Sequence, residues 1–299
     1  GAIDDGLPLV RGPFTMPDSI LDACTDGQEN VSCDEASTET GQDGHVRIAV
    51  PAPVDLGDVV FDDITRLAWE PGARLATLAD AEAHCQSLAD SGHGGFDDWH
   101  VPSMFELATT LNMGQSSAVF LPQFESYPQN HTFWTSDLRD GVSITMGGNW
   151  PIHARRSPGF EGATLIRCVA GHPPDPGYAV VGDGVRDART GLEWQRSDSG
   201  TVQTWESALA YCEALALNDR TDWRLPSYKE LASIVDYSQA VTIPSAFTDT
   251  DADWYWSSSP QRDNAFPISF ADGEGTLNRD QTVAHQVRCV RGPDAWLTR

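Results

Sequence analysis

The sequence lacks a long apolar run and has few basic residues. No stretch of about 18 consecutive apolar residues occurs, so no helical membrane span is predicted. Lysine and arginine together number 19 against 44 aspartate and glutamate residues, and the net charge is −25. Because such a surface repels phosphate backbones, we expect no nucleic-acid partner. We interpret the acidity as a solvated surface, with specific cation binding as the alternative.

The chain also lacks the motifs of common enzyme classes. It has no H-E-x-x-H zinc motif, no G-x-S-x-G nucleophile turn and no phosphate-binding glycine loop. Its six cysteines show no C-x-x-C spacing, which argues against a zinc knuckle or a thioredoxin-like site. The histidines are scattered, and we interpret His84, His100 and His285 as packing or surface residues. The sequence therefore predicts a protein that is not an enzyme.

The start of the chain has no basic and apolar leader. Residues 1–5 read Gly-Ala-Ile-Asp-Asp, so we expect a mature chain from which an export signal has been removed. With 299 residues, 40% of them hydrophobic, the chain is long enough for two folded domains that each bury a core.

An internal repeat is the strongest positive signal. Five blocks recur in the same order with an offset of 121 to 127 residues. In the first copy they are residues 61–69, 85, 98–103, 133–136 and 167–169; in the second they are 185–194, 212, 222–227, 255–258 and 288–290. Such agreement indicates a duplicated domain.

The repeat predicts how the cysteines pair. Each copy has one cysteine in its first helix and one at its last strand, and a further pair flanks a hairpin signal at residues 25–30. The predicted disulfides are Cys85–Cys168, Cys212–Cys289 and Cys24–Cys33. Each of the first two closes a loop of about 80 residues, which the chain-entropy model values at about 4 kcal/mol. Their presence predicts export.

Local signals place two helices in each copy. Thr77 and Thr204 are predicted to cap the first helices, and Ser-x-x-Glu capping boxes beginning at Ser103 and Ser227 start the second. Short strands are predicted at 59–61, 133–134, 144–146, 192–194, 255–256 and 268–270. The predicted division is an extension at 1–14, a first domain at 15–171, a proline-rich linker at 172–177, a second domain at 178–292 and a tail at 293–299.

The matched blocks resemble the family named for the C-terminal domain of a collagen-like bacterial adhesin, the Lcl C-terminal domain family. Both copies look like members, and coverage runs from about residue 15 to 292. The resemblance implies an α+β, C-type-lectin-like fold, with two helices packed on small irregular antiparallel sheets in each domain. It also implies an exported adhesin. The first copy departs from the pattern at His100, Thr135 and Ala170, and we expect it to be the more structural one.

The second copy carries the predicted site. Trp254, Tyr255 and Ser257 are predicted to face a glycan ligand, the aromatic rings by stacking, while Trp256 is buried. Arg224 joins them as a ligand-binding candidate; its Asp-Trp-x-x-Pro segment is otherwise read as structural. The alternate carboxylates Asp249, Asp251 and Asp253 suggest Ca²⁺, with a solvated loop as the alternative.

These observations predict a secreted, cell-surface or periplasmic binding module for a glycan or a surface protein. Two alternatives remain open. One is a structural surface or assembly protein without a small ligand. The other is a thiol-dependent enzyme, which would require a free cysteine.

Overall fold

A computed structural model shows an α+β protein in which two copies of one unit follow an N-terminal segment. It describes residues 14–19, 21, 23–26, 29–33, 41–45, 49–113, 120–124, 131–147, 154–156, 164–276 and 279–292. Residues 1–13 of the predicted extension at 1–14, and the predicted tail at 293–299, lie outside the described residues. No helix in the described ranges combines the length and hydropathy needed to cross a membrane.

The N-terminal segment contains a hairpin and one turn of 3-10 helix. Strands β1 (Ala23–Thr25) and β2 (Asn30–Ser32) pair antiparallel, and the turn covers Asp43–His45. The Cys24–Cys33 disulfide closes this hairpin as predicted.

The first copy holds two helices and a set of short strands. The helices are α1 (Leu78–Ser91) and α2 (Met104–Thr109). The strands are β3 (Val54–Asp55), β4 (Val60–Asp62), β5 (Leu67–Trp69), β6 (Arg74–Ala76), β7 (Thr132–Arg139), β8 (Val142–Gly147), β9 (Ala154–Arg156), β10 (Thr164–Ile166) and β11 (Val169–Ala170).

The second copy repeats the arrangement. Its helices are α3 (Trp205–Ala214) and α4 (Tyr228–Ser233). Its strands are β12 (Ala179–Val181), β13 (Gly184–Arg186), β14 (Glu193–Gln195), β15 (Trp254–Gln261), β16 (Asn264–Ser269), β17 (Arg279–Asp280) and β18 (Val290–Arg291).

Seven strands of the first copy have counterparts in the second, whereas β6 and β10 extend the sheet of the first copy only, among the described residues. The order β11-β5-β4-β3 in the first copy corresponds to β18-β14-β13-β12 in the second, and β7-β8-β9 corresponds to β15-β16-β17. The long hairpins even share an irregularity, because the β7–β8 register shifts after Trp134 and the β15–β16 register shifts after Trp256. The sequence repeat is therefore a repeat of the fold.

The predicted helix starts are confirmed. Thr77 and Thr204 accept hydrogen bonds from the backbone of the first turns of α1 and α3. The Ser103 and Ser227 capping boxes are complete, since each serine accepts from the N3 amide and the N3 glutamate accepts from the serine amide.

The remaining disulfides are also confirmed. Cys85 bonds Cys168 and Cys212 bonds Cys289, and the described chain has no free cysteine. Each bridge ties the first helix of its copy to the strand region at the end of that copy, inside a separate hydrophobic cluster.

The two copies share a central core. One cluster contains Leu107 of α2 and Leu231 of α4 together with residues from the main sheets of both copies. The expectation that each half buries a core of its own thus holds only for the disulfide clusters. The short helices α2 and α4 pack against each other where the copies meet.

Candidate functional site

Strand β15 does not present the face that the sequence predicts. Tyr255, Trp256 and Ser257 are all 0% exposed. Trp256 belongs to the cluster around α3 and Tyr255 to the shared core, so both faces of the strand are covered. The prediction that Tyr255 and Ser257 face solvent is wrong, because a strand buried on both sides has no solvent side. Trp254 is half-buried at the strand's start.

The polar atoms of these residues serve internal bonds. The Tyr255 hydroxyl donates to Asp198 Oδ2 at 2.7 Å and accepts from Asp251 N at 3.0 Å. The Ser257 hydroxyl donates to Phe266 O. Hydrogen bonds of this kind hold the strand in the core and leave no stacking platform at Tyr255.

Arg224 forms an ion pair with a carboxylate of its own copy. Its guanidinium donates to both oxygens of Glu230, at 2.7 and 2.6 Å, and to Gly292 O at 3.3 Å. The neighbouring tryptophans of the two Asp-Trp-x-x-Pro segments, Trp99 and Trp223, are 3% and 2% exposed, so both are core residues. Arg224 therefore orders α4.

The acidic loop does not gather its three carboxylates. Asp249 Oδ2 accepts from Ser197 Oγ at 3.0 Å, and Asp251 Oδ2 accepts from Gln286 Nε2 at 2.7 Å. Asp253 Oδ1 accepts from the Trp254 amide at 2.7 Å. Among the described residues, these aspartates are not part of any group of three with ligand atoms within 4.8 Å of one another. The loop geometry therefore differs from the calcium site that the spacing suggests.

An open cleft of about 520 Å³ lies between the two copies. We call it the open cleft. The first copy contributes the start of α2 and the middle of β7, and the second contributes the end of α4 and the turn before β14. Its polar and aromatic lining includes Phe105, Asp137, Tyr178, Arg189, Asp236 and Ser238.

Arg189 bridges the copies at this cleft. Its guanidinium carbon lies 3.8 Å from the ring centroid of Phe105, and Nη2 donates to Ser233 O at 2.7 Å. The Nε atom is buried without a hydrogen-bond partner among the described residues. A cation stacked on an aromatic ring at a wet cleft contributes about 0.5–1 kcal/mol.

Two carboxylates face the same space. Asp137 Oδ2 accepts from the Met104 amide at 2.5 Å, and burial, followed by the charges of Glu106 and Asp236, raises the pKa of Asp137. Burial also raises the pKa of Tyr178 above its usual value. The open cleft thus combines two acids, one cation and aromatic rings.

Because the fold is repeated, this cleft has a counterpart built from the matching residues. We call it the filled cleft. Matching hydrogen bonds relate the two clefts. Ser136 N donates to Pro102 O at 2.8 Å in the first copy, as Ser258 N donates to Pro226 O at 2.7 Å in the second. Met104 N donates to Asp137 Oδ2 at 2.5 Å, as Tyr228 N donates to Ser259 Oγ at 2.9 Å. Arg189 and Phe105 correspond to Ile64 and Lys229 in the repeat.

The N-terminal segment occupies the filled cleft. Residues 16–19 are buried there without regular secondary structure. Thr15 N donates to Ile64 O at 3.1 Å, Lys229 Nζ donates to Asp18 O at 2.9 Å, and the Ser259 hydroxyl donates to the Asp43 carboxylate. A cavity of only about 10 Å³ remains beside this segment.

The cleft residues were not identified from the sequence. The signal that could have found them is the difference between the copies, since Phe105 and Arg189 stand where the partner copy has Lys229 and Ile64. A single sequence does not show that Phe105 of the first copy and Arg189 of the second are in contact. The contact is tertiary.

The fold and cleft define a duplicated, disulfide-closed α+β module. A family model described as the Lcl C-terminal domain matches residues 58–169 and 183–291. The chain therefore belongs to the Lcl C-terminal domain family, as the sequence resemblance predicts, and it contains two tandem domains of that family. No curated protein matches the chain. Family membership points to a surface or secreted module, and three disulfides fit an extracellular or periplasmic location.

Proposed function

We propose that this chain is an exported, non-enzymatic and adhesin-like binding module, and that its ligand occupies the open cleft. Family membership and the disulfides support export. The volume of about 520 Å³ lies within the range of natural ligand sites. The two short helices on small irregular sheets in each copy support a C-type-lectin-like architecture as part of this proposal.

The ligand class follows from the filled cleft. There the chain's own segment lies without regular secondary structure, is buried at Met16 and Pro17, and is bound through its backbone by Lys229 and Ile64. The open cleft has the same framework because the fold is repeated. We infer that it takes a peptide segment of a partner protein. The observation that carries the proposal is the binding of the N-terminal segment in the filled cleft.

The charges of the open cleft specify the segment further. Asp137 and Asp236 leave one excess negative charge after Arg189 is counted. A basic side chain in the ligand would face these carboxylates, and Arg189 would donate to a carbonyl or carboxylate as Lys229 does in the filled cleft. The net charge of −25 also favours the approach of a basic partner.

The experiment compares the full chain with variants that take residues from the matching copy. An array of immobilised nine-residue peptides with scanned positions is probed beside a glycan array. The variants Asp137→Ser and Arg189→Ile install the residues found at Ser259 and Ile64, so the fold already accepts them in this framework. Asp253→Asn, which removes one exposed carboxylate outside the cleft, is the control.

We expect peptides with a basic residue to bind, and both cleft variants to weaken binding at least about tenfold, since one charged hydrogen bond contributes about 1.5–3 kcal/mol. Asp253→Asn should bind like the parent chain. Calcium-dependent glycan binding lost in Asp253→Asn would instead support the predicted site at Trp254 and the acidic loop. Absence of binding on both arrays would favour the structural or assembly role.

A further inference from the structure

Three groups of potential metal ligands occur among the described residues, each with ligand atoms within 4.8 Å of one another. Two of them contain cysteines that are disulfide-bonded and so offer no thiolate: Cys24 and Cys33 with His45, and Cys168 with Glu70 and His84. The third consists of His100, Glu106 and His172, and all of its donors are available.

His100 is oriented as a metal-ligating histidine is. Its Nδ1 lies 2.9 Å from the carbonyl oxygen of Asp98, which can only accept, so this nitrogen carries the proton. Its Nε2 lies 3.1 Å from Glu106 Oε1. The carboxylate oxygen can only accept, so a positive charge completes this contact: either a second proton on the ring, which makes an ion pair with Glu106, or a metal ion bound by both atoms. A backbone carbonyl bound to the far nitrogen is the usual support of a metal-bound histidine.

Glu106 is a buried carboxylate whose two oxygens have different partners. Its side chain is only 5% exposed. Oε2 accepts from the Ser103 amide at 2.7 Å and from the Ser103 hydroxyl at 2.9 Å. The capping box thus fixes one oxygen and turns Oε1 toward His100. A carboxylate held in this way is preorganised as a ligand.

His172 supplies the third donor. Its ring centroid lies 4.3 Å from that of His100, at an interplanar angle of 17°. The residue is exposed, so its ring can rotate about χ1 and χ2 to direct a nitrogen toward the other two donors. The stacked arrangement brings a second imidazole close to the carboxylate, with the ligand atoms of all three residues within 4.8 Å of one another.

In the second copy, the residue that corresponds to His100 carries a positive charge. There Arg224 replaces His100, and its guanidinium bonds both oxygens of Glu230. The carboxylate of α4 therefore has a permanent cation, which the carboxylate of α2 lacks. The residue after Gly292 is Pro293, so the second copy also has no counterpart of His172.

We propose that the first copy binds one divalent transition-metal ion of the zinc class through His100 Nε2, Glu106 Oε1 and a ring nitrogen of His172. Two imidazoles and one carboxylate form a ligand set typical of zinc, with water in the fourth position. The ion takes the place that the Arg224 guanidinium occupies in the second copy. None of these three ligands lines the open cleft, so the proposal does not depend on the ligand of that cleft.

The test is titration of the metal-free full chain with zinc chloride in a calorimeter, together with cobalt(II) absorption as a readout of tetrahedral coordination. His172→Ala removes an exposed donor. His100→Arg installs the ion pair of the second copy. His84→Ala is the matched control, because it removes another histidine that contacts a carboxylate, Glu70, in the same copy.

We expect one zinc ion per chain, at least about tenfold weaker binding in His172→Ala and loss of the site in His100→Arg, since lost ligand support costs about 10–100-fold in affinity. The His84→Ala chain should match the parent, and calcium should give no comparable heat because it prefers oxygen ligands. Equal zinc affinity in the parent and His172→Ala chains would overturn the proposal, even if His100→Arg failed to fold. Absence of zinc binding by the parent would overturn it as well.

Discussion

Asp43 is a buried acid that joins the N-terminal segment to the second copy. It is 5% exposed and accepts a hydrogen bond from the Ser259 hydroxyl. Burial, with smaller contributions from the charges of Asp18 and Glu230, raises its pKa from 3.8 to about 7. The folded chain therefore holds a proton that the unfolded chain releases at lower pH. Stability from this group is full below about pH 4 and is lost as the pH rises through about 7.

Replacing Asp43 by asparagine should flatten the dependence of stability on pH. The parent chain is expected to have a lower melting temperature at about pH 7.5 than at about pH 5.5, because the buried carboxylate ionises over that interval. Asp43→Asn removes the titration and should narrow the difference. Thermal melts followed by circular dichroism at both pH values measure it.

The control for this prediction is Asp280→Asn. Asp280 is exposed, and hydrogen bonds from Thr282 lower the pKa of its carboxyl, so it does not titrate in this interval. An Asp43→Asn chain with the same pH dependence as the parent would contradict the assignment of this buried charge.

Lys229 shows the same principle with the opposite charge. It is 0% exposed, and burial lowers its pKa to about 8. Its ammonium group donates to Asp18 O at 2.9 Å and to Thr109 O at 3.3 Å. One side chain of α4 thus ties the end of α2 and the N-terminal segment together.

At the level of the elements, α2 and α4 are helices of six residues each. Helices this short are unstable in isolation, so their ends and packing decide whether they form. Each begins with a complete capping box, and the residue before each serine is proline, at positions 102 and 226. These local signals predict where α2 and α4 begin.

Removing one cap should therefore be measurable. Ser227→Ala leaves the Glu230 amide without its acceptor, and we expect a loss of about 1 kcal/mol in the free energy of unfolding. Ser103→Ala should cost a similar amount in α2. Urea denaturation measures both losses.

Ser91→Ala serves as the comparison for the caps. Ser91 is an exposed residue at the end of α1 whose hydroxyl donates to Leu88 O. Its replacement should change stability by no more than about 0.5 kcal/mol. If the cap variants changed stability no more than this one, the boxes would not be needed to form α2 and α4.

For the whole molecule, the shared core predicts one cooperative unit. Leu107 and Leu231 are both 0% exposed and lie in the same cluster, although they belong to different copies. Leu107→Ala should cost about 2–5 kcal/mol. Because the copies share this cluster, we expect hydrogen exchange to accelerate in the core strands of both, and by a similar factor.

The control is Leu75→Ala, since this leucine is 56% exposed and should leave exchange unchanged. Acceleration confined to the first copy in Leu107→Ala, or two separate thermal transitions in the parent chain, would show that the domains unfold independently. The boundaries predicted at 172–177 and 178–292 would then describe energetic units as well as repeats.

The duplication, the helix starts and all three disulfides could be predicted from the sequence. These depend on local signals or on spacing that repeats along the chain, such as the Ser103 and Ser227 boxes and the matched cysteines. Membership of the family could also be predicted, because its motifs lie in contiguous blocks.

The exposure of individual positions could not be predicted from the sequence, because it depends on tertiary packing. The alternation expected of a strand predicted that Tyr255 is exposed. In the structure both faces of β15 are buried, one by the cluster around α3 and the other by the core that the two copies share. The open cleft and the His100, Glu106 and His172 cluster likewise join residues that are distant in sequence. A single sequence indicates the local conformational preference of each residue. Burial and proximity depend instead on how the two copies and the N-terminal segment pack together.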